Sequence, residues 1–235
     1  MAFALGAVSP HLDDLALSCA NVLAAHPGSS MVTVFAGGPA SVDPVTGWEA
    51  LSGVFEPGAD IVGARRSEDI EAVSLLACEH RHLEHWDDQY RHAAYRYEGP
   101  RGEDLVRLIS SDLEAIVSRS ELGTWLIPLG ISHPDHEIAA AACLAVVDRH
   151  PDVDWLVYEE LPYATFLADR VTALTAGLQT RGFELQPPDG LELAGPGPDK
   201  RDVVSCYRSQ VGPLGDGVTA AVAAPERIHR LTRMV

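Results

Sequence analysis

A chain of 235 residues, 46% hydrophobic and 22% charged, can bury one substantial core and is expected to form a single domain over residues 1–235. Its formal net charge of -17 excludes broad electrostatic capture of nucleic acid or anionic lipid, which requires clustered Lys and Arg. Cys19, Cys78, Cys143 and Cys206 form no CxxC pair, so neither a thiolate zinc knuckle nor a redox motif is expected.

Residues 3–8 form a short apolar run and residues 15–25 an Ala/Leu-rich stretch of helical composition, with the polar turn Pro10-His11-Leu12-Asp13-Asp14 between them. The opening MAFALGAVSP has no basic n-region and meets an acidic pair at Asp13, so no signal peptide is expected; no apolar run suffices to span a bilayer, and a cytoplasmic location follows as the expectation. Residues 30–35 are β-branched and close on Gly37, Gly38 and Pro39, which predicts a second strand after the first helix. Residues 42–57 carry turn chemistry and read as a loop or lid. Helical spacing resumes over 64–77, a short strand fits 81–84, and 87–102 reads as a polar, tyrosine-bearing loop. Residues 102–118 make an amphipathic helix with Leu105, Leu108, Ile109, Leu113, Ile116 and Val117 on its apolar side. A buried-type strand over 124–129, the turn ISHPDH, a helix over 137–148 and a strand over 155–158 complete the alternation. This pattern predicts an α/β, Rossmann-like domain with a mainly parallel sheet and helices on both faces. The Pro/Gly-rich stretch 186–198 resembles a linker, but too little chain follows for a second domain, so 185–235 is expected as a hairpin or tail docked on the same core.

Two polar clusters, Pro10 to Asp14 and His133-Pro134-Asp135-His136, each stand between a predicted strand and a predicted helix. Open α/β sheets build their sites at such strand ends, so residues distant in sequence converge there. Taken singly, PHLDD could serve only as a loop with an Asp helix cap, and HPDH only as a turn. Together they offer two His and one Asp, the ligand set of a catalytic zinc that keeps a position open for water. Residues remain for the other needs of hydrolysis: Asp13 as a base, and one of the two histidines of the second cluster to face the scissile carbonyl.

Ser9-Pro10-His11-Leu12-Asp13-Asp14 with His133-Pro134-Asp135-His136 resembles the LmbE-like, or PIG-L, family of zinc-dependent N-deacetylases. The resemblance implies Zn2+ held by His11, Asp14 and His136. It further implies Asp13 as general base, His133 in protonated form as oxyanion stabiliser and acid to the amine, and Asp135 orienting His133. Leu12 and Leu15 depart from the common Pro and Glu of the first motif. Arg65-Arg66-Ser67-Glu68 is similar to the family's RxxE, with Arg65 expected to face substrate. LEHWDDQYR over 83–91 is similar to the segment that brings an Asp, here Asp87, to the pocket. YEELPYA over 158–164 and YRSQ over 207–210 also resemble family segments.

The implied activity is removal of an acyl group, acetyl foremost, from the nitrogen of a small, sugar-like substrate, with no nucleic acid or membrane partner and with a homo-oligomer compatible with the chain. A larger amide, such as a thiol-cofactor conjugate, is the first alternative, and a catalytically silent metal-binding module the second. A nucleotide-binding doubly wound domain is disfavoured because PHLDD stands where a glycine-rich fingerprint belongs. Outer positions have plainer readings: Arg65 and Glu68 as an exposed helix-face pair, and His80, His82 and His85 as surface histidines rather than a second metal site; Trp48, Tyr90, Tyr95 and Tyr97 fit either the lining of a carbohydrate pocket or plain packing.

Overall fold

The computed structural model describes residues 3–234. Seven strands and ten α-helices run in the order β1 (Gly6–Ser9), α1 (Asp14–Ala25), β2 (Ser30–Thr33), α2 (Gly47–Ser52), α3 (Ile61–Leu75), β3 (Glu79–His82), α4 (Gly102–Val117), β4 (Thr124–Pro128), α5 (Pro134–Val147), β5 (Asp154–Tyr158), α6 (Tyr163–Phe166), α7 (Ala168–Thr180), β6 (Phe183–Gln186), α8 (Lys200–Val204), α9 (Arg208–Leu214), α10 (Asp216–Ala223) and β7 (Ile228–Arg233) among the described residues. The strands form one sheet ordered β3-β2-β1-β4-β5-β7-β6. β3 through β5 pair in parallel, while β7 runs antiparallel to both β5 and β6. Among the described residues no helix is long and apolar enough to cross a membrane.

The chain leaves β1 toward β2 and β3 on one side and returns through β4 and β5 on the other, so the strand order reverses between β1 and β4. Right-handed crossovers then place α1 and α3, before the reversal, on one face and α4 and α5, after it, on the other, and leave a crevice beyond the carboxyl ends of those two central strands. Packing agrees: α1 and α3 meet α8 on one face, and α4 packs on α5. β1 and β4 are buried along their length, as strands covered on both faces must be. Gly6 has to be glycine, because a Cβ there would stand 2.3 Å from the Trp125 ring of β4.

Several boundaries differ from those the sequence predicts. Residues 47–52 of the expected loop form α2, because Thr46 accepts a hydrogen bond from the Glu49 N–H and caps it. α5 starts at Pro134, with the His133 side chain as its cap, rather than at 137. Leu108 of α4 is 43% exposed and lies outside the buried stripe of Leu105, Ile109, Leu113 and Val117. The stretch from 185 holds three short helices besides β7, and α9 contributes a wall of the site described next.

Candidate metal centre

The turn after β1 and the turn after β4 meet in the crevice. The first is tightened by the His11 N–H, which donates to Asp14 Oδ2 at 2.7 Å and aims that carboxylate inward. The second reverses through Gly130 (φ 92°) and Ser132 (φ 68°), both left-handed, the latter a conformation that non-glycine residues adopt only where surroundings impose it. Leu12 and Leu15, the two departures from the common motif, are buried among core side chains. They therefore alter packing behind the turn, not the polar face in front.

Three atoms from these turns lie at nearly equal separations: His136 Nε2 is 3.1 Å from Asp14 Oδ2 and 3.3 Å from His11 Nδ1, and the latter pair is also 3.3 Å apart. Ligands at about 2.0–2.1 Å from a tetrahedral cation stand about 3.3–3.4 Å from one another, so this triangle has the dimensions of one face of such a site. A looser group adds His133 to His11 and His136, with ligand atoms within 4.8 Å, and a third group joins His11, Asp87 and Asp135. Charge points the same way. Asp13, Asp14, Glu49, Asp87, Asp135 and Glu160 bring six buried carboxyl groups against two buried guanidinium groups, Arg65 and Arg91, an excess that protons on His11 and His136, or a divalent cation in their place, would offset.

The titration behaviour follows from that excess. Burial alone would lower the pKa of His136, but Asp14 and Glu160 outweigh it and push it to about 9. Burial likewise opposes a charge on His11, yet Asp87, Asp135 and Asp14 raise it well above the ordinary imidazole value. A cation held by both rings would compete with protons for them. Apparent metal affinity is therefore expected to climb from below neutrality to about pH 9, with protons released on binding, as calorimetry in buffers of different ionisation enthalpy measures. An affinity flat over that span counts against these ligands.

The remaining residues surround the triangle. Asp13 caps α1 in position only; its carboxylate makes no hydrogen bond to the helix and lines the cleft. Burial, then the neighbouring Asp14, raises its pKa to about 6. His133 accepts the Asp135 N–H at Nδ1, 3.2 Å away, which leaves Nε2 as the protonated nitrogen of the neutral ring. Burial, then His11 and His136, lowers its pKa below the ordinary value. In this structure the neutral ring, with its proton on Nε2, is therefore favoured over the protonated form that the motif implies.

Asp135 corrects another expectation. Its carboxylate does not orient His133: Oδ2 stands 3.0 Å from His11 Nε2 and accepts the Asp88 N–H, and Oδ1 binds Arg91. Asp135 therefore sets His11, at a separation of 124 positions that local reading cannot bridge.

Arg65 and Asp87 both line the cleft. They hold each other, with Arg65 Nη1 donating to Asp87 Oδ2 at 3.2 Å and reaching Glu49 at 3.5 Å, so Arg65 is buried and paired instead of lying on an exposed helix face. Asp87 also accepts both the side-chain and backbone N–H of Gln89, so its oxygens are spent within the protein. Burial would raise its pKa, but His11 and Arg65 hold it at about 2. Glu68 serves the fold, binding Ser209 through its backbone N–H and its hydroxyl and so anchoring α9.

Of the aromatics, Trp48 lines the cleft, its indole N–H donating to Gln210 at 2.8 Å. Tyr90 and Tyr95 pack in a small separate core, and Tyr97 pairs with Trp86 away from the cleft. His82 bonds Asp69 and His85 bonds Asp112, and no ligand group forms around them among the described residues. Sequence reasoning assigned no role to Arg91, Glu160, Tyr163, Gln210 and Leu214. Arg91, Glu160, Tyr163 and Gln210 sit inside segments that resemble the family, which was the available signal.

A mainly parallel α/β sheet with a two-His, one-carboxylate triangle at its reversal point defines the class: an LmbE-like fold with a metal-type site. The chain belongs to the PIG-L family, whose model, described as GlcNAc-PI de-N-acetylase, matches residues 7–147. No curated protein sequence matches it. Among solved structures it is similar to the A40926 pseudoaglycone deacetylase Dbv21, at 25% identity and TM-score 0.73, over 100% of this chain and 99% of that one. It is also similar to teicoplanin deacetylase Orf2 in a zinc-inhibited form, at 27% identity and TM-score 0.76, over 98% of each chain. N,N'-diacetylchitobiose deacetylase from Pyrococcus horikoshii shares the fold at 15% identity and TM-score 0.51, covering 89% of this chain and 71% of that one.

Proposed function

We propose that this protein is a metal-dependent N-deacetylase acting on an N-acyl amino-sugar derivative, with His11, Asp14 and His136 as ligands of a zinc-type cation. The observation that carries the reading is the ligand triangle at 3.1–3.3 Å with the unengaged Asp13 carboxylate beside it in the same cleft. When bound, the cation supplies an acidified water and polarises the amide carbonyl.

The chain's own residues account for the proton movements. Asp13, ionised at neutral pH, takes a proton from the water as its oxygen bonds the carbonyl carbon. The carbonyl oxygen gains negative charge and accepts a hydrogen bond from the His133 Nε2–H, which Asp135's backbone N–H keeps in the donor tautomer. The C–N bond then breaks while Asp13, a carboxyl with a pKa of about 6, returns its proton to the departing nitrogen. The products are an amine and a carboxylic acid, whose proton passes to the amine or to solvent to leave the carboxylate. Arg65, fixed by Asp87 and Glu49, presents its charge to the cleft. Trp48, Leu17, Pro162 and Leu214 supply an apolar wall suited to a sugar ring or an apolar group attached to it.

Two similar structures are deacetylases, one of the A40926 pseudoaglycone and one of teicoplanin, which supports acetyl over larger acyl groups. Incubating the protein with N-acetylated amino sugars and their glycosides, over a range of Zn2+ concentrations and with chelator, is expected to release amine that chelation abolishes. The range matters because zinc inhibits one similar enzyme. Amine release unaffected by complete metal removal overturns the reading.

A further inference from the structure

The two ring nitrogens of His136 face different surroundings. Nε2 looks into the ligand triangle. Nδ1 is buried with no hydrogen-bond partner of ordinary geometry, and Glu160 Oε1 stands 3.4 Å from it. Glu160 follows β5, is wholly buried, and accepts the Gly130 N–H at 2.7 Å and the Ile131 N–H at 3.0 Å through that same Oε1. Its other oxygen is buried and unpaired.

Holding two backbone N–H groups does not require a charge, since a glutamine carbonyl would accept both. A buried carboxylate with a free oxygen is unfavourable unless something cationic faces it. The group it faces is His136. Nε2 can offer its lone pair to a cation only when the ring proton sits on Nδ1, and a carboxylate behind Nδ1 selects that tautomer and makes the ring a stronger donor.

We infer that Glu160 is a positioning residue of the metal centre: it sets the tautomer of His136 and, through Gly130 and Ile131, the turn that carries His133. Asp135 stands in the same relation to His11, so each imidazole of the triangle is backed by its own buried carboxylate. This inference rests on the metal reading proposed above.

Glu160→Gln preserves volume and the acceptor for both amides while removing the charge. Its metal-free melting temperature is expected to stay close to that of the parent, and its Zn2+ dissociation constant, read by chelator competition, to rise about 10- to 100-fold. Lost turnover is expected to return at excess metal. A role confined to holding the turn would lower the melting temperature and leave the constant alone. Glu159→Gln is the control, because Glu159 pairs with Arg227 and His229; its affinity is expected to match the parent. If the glutamine variant does not fold, Glu160→Asp draws the charge back by one methylene, with a smaller loss of affinity expected. Parent-like affinity in the folded variant overturns the inference, whereas a parent that binds no metal overturns the reading beneath it.

Discussion

Asp13→Asn is expected to lower kcat by about 10²- to 10⁴-fold, the usual worth of a positioned proton acceptor, while bound metal per chain stays at the parent level. The separation of the two readouts follows from geometry. Asp14, not Asp13, lies in the ligand triangle, held there by the His11 N–H and facing His136 at 3.1 Å. Asp13 shares the cleft, but its carboxylate is left without a helix-capping bond, and an amide of the same shape replaces it with little disturbance. Metal content by atomic emission and kcat on one substrate decide the matter; metal lost with the substitution would mean that the two aspartates exchange roles. The pH dependence carries a sign. Burial and Asp14 raise Asp13 to about 6, and only its ionised form takes a proton, so the rate should fall as pH drops below that value. A bound cation pulls the carboxyl lower and moves the limb further to acid. No basic limb above neutrality is expected from His133, because burial and the two neighbouring histidines lower the pKa of that ring. In the parent, a rate that falls between neutrality and about pH 9 as His133 loses a proton would restore the protonated-acid role.

His136→Ala is expected to abolish both metal retention and turnover, with a loss of affinity well beyond the roughly 10- to 100-fold that follows from altering a residue behind a ligand. Two ligands remain, and the carboxylates of Asp14 and Glu160 lose the group they share. Leaving such buried charges uncompensated costs on the order of 3–5 kcal/mol, so the variant should also melt at lower temperature. Tyr163, which meets the His136 ring edge-on at 5.3 Å, loses its packing partner as well. Full metal occupancy in a folded variant would falsify the ligand role.

The polar set of the site was legible because its chemistry is compact: HLDD and HPDH each place their side chains within one turn of chain, at junctions that hydrophobic runs flank. The alternation of strand and helix predicted the parallel sheet for the same reason, since burial on both faces demands continuous apolar strands. Where periodicity was weak, prediction failed. α7, with Thr, Gly and Gln among its apolar residues, gave no clear stripe, and 13 residues of helix stand in a stretch the sequence left without an element. Leu108 matched the α4 pattern by type, yet its place on the helix turns it to solvent.

The amino-acid sequence by itself determined the fold class, the two motif turns and the kinds of side chain they carry, because these depend on local propensity and on apolar patterning. Which carboxylate backs which imidazole depended on the tertiary structure alone. Asp135 sits next to His136 and two residues from His133 in the chain, but it serves His11, and Glu160 reaches His136 from the end of β5. The physical reason is that the reversal of strand order brings β1, β4 and β5 side by side, and only in that packed arrangement do buried charges find the partners that make them tolerable.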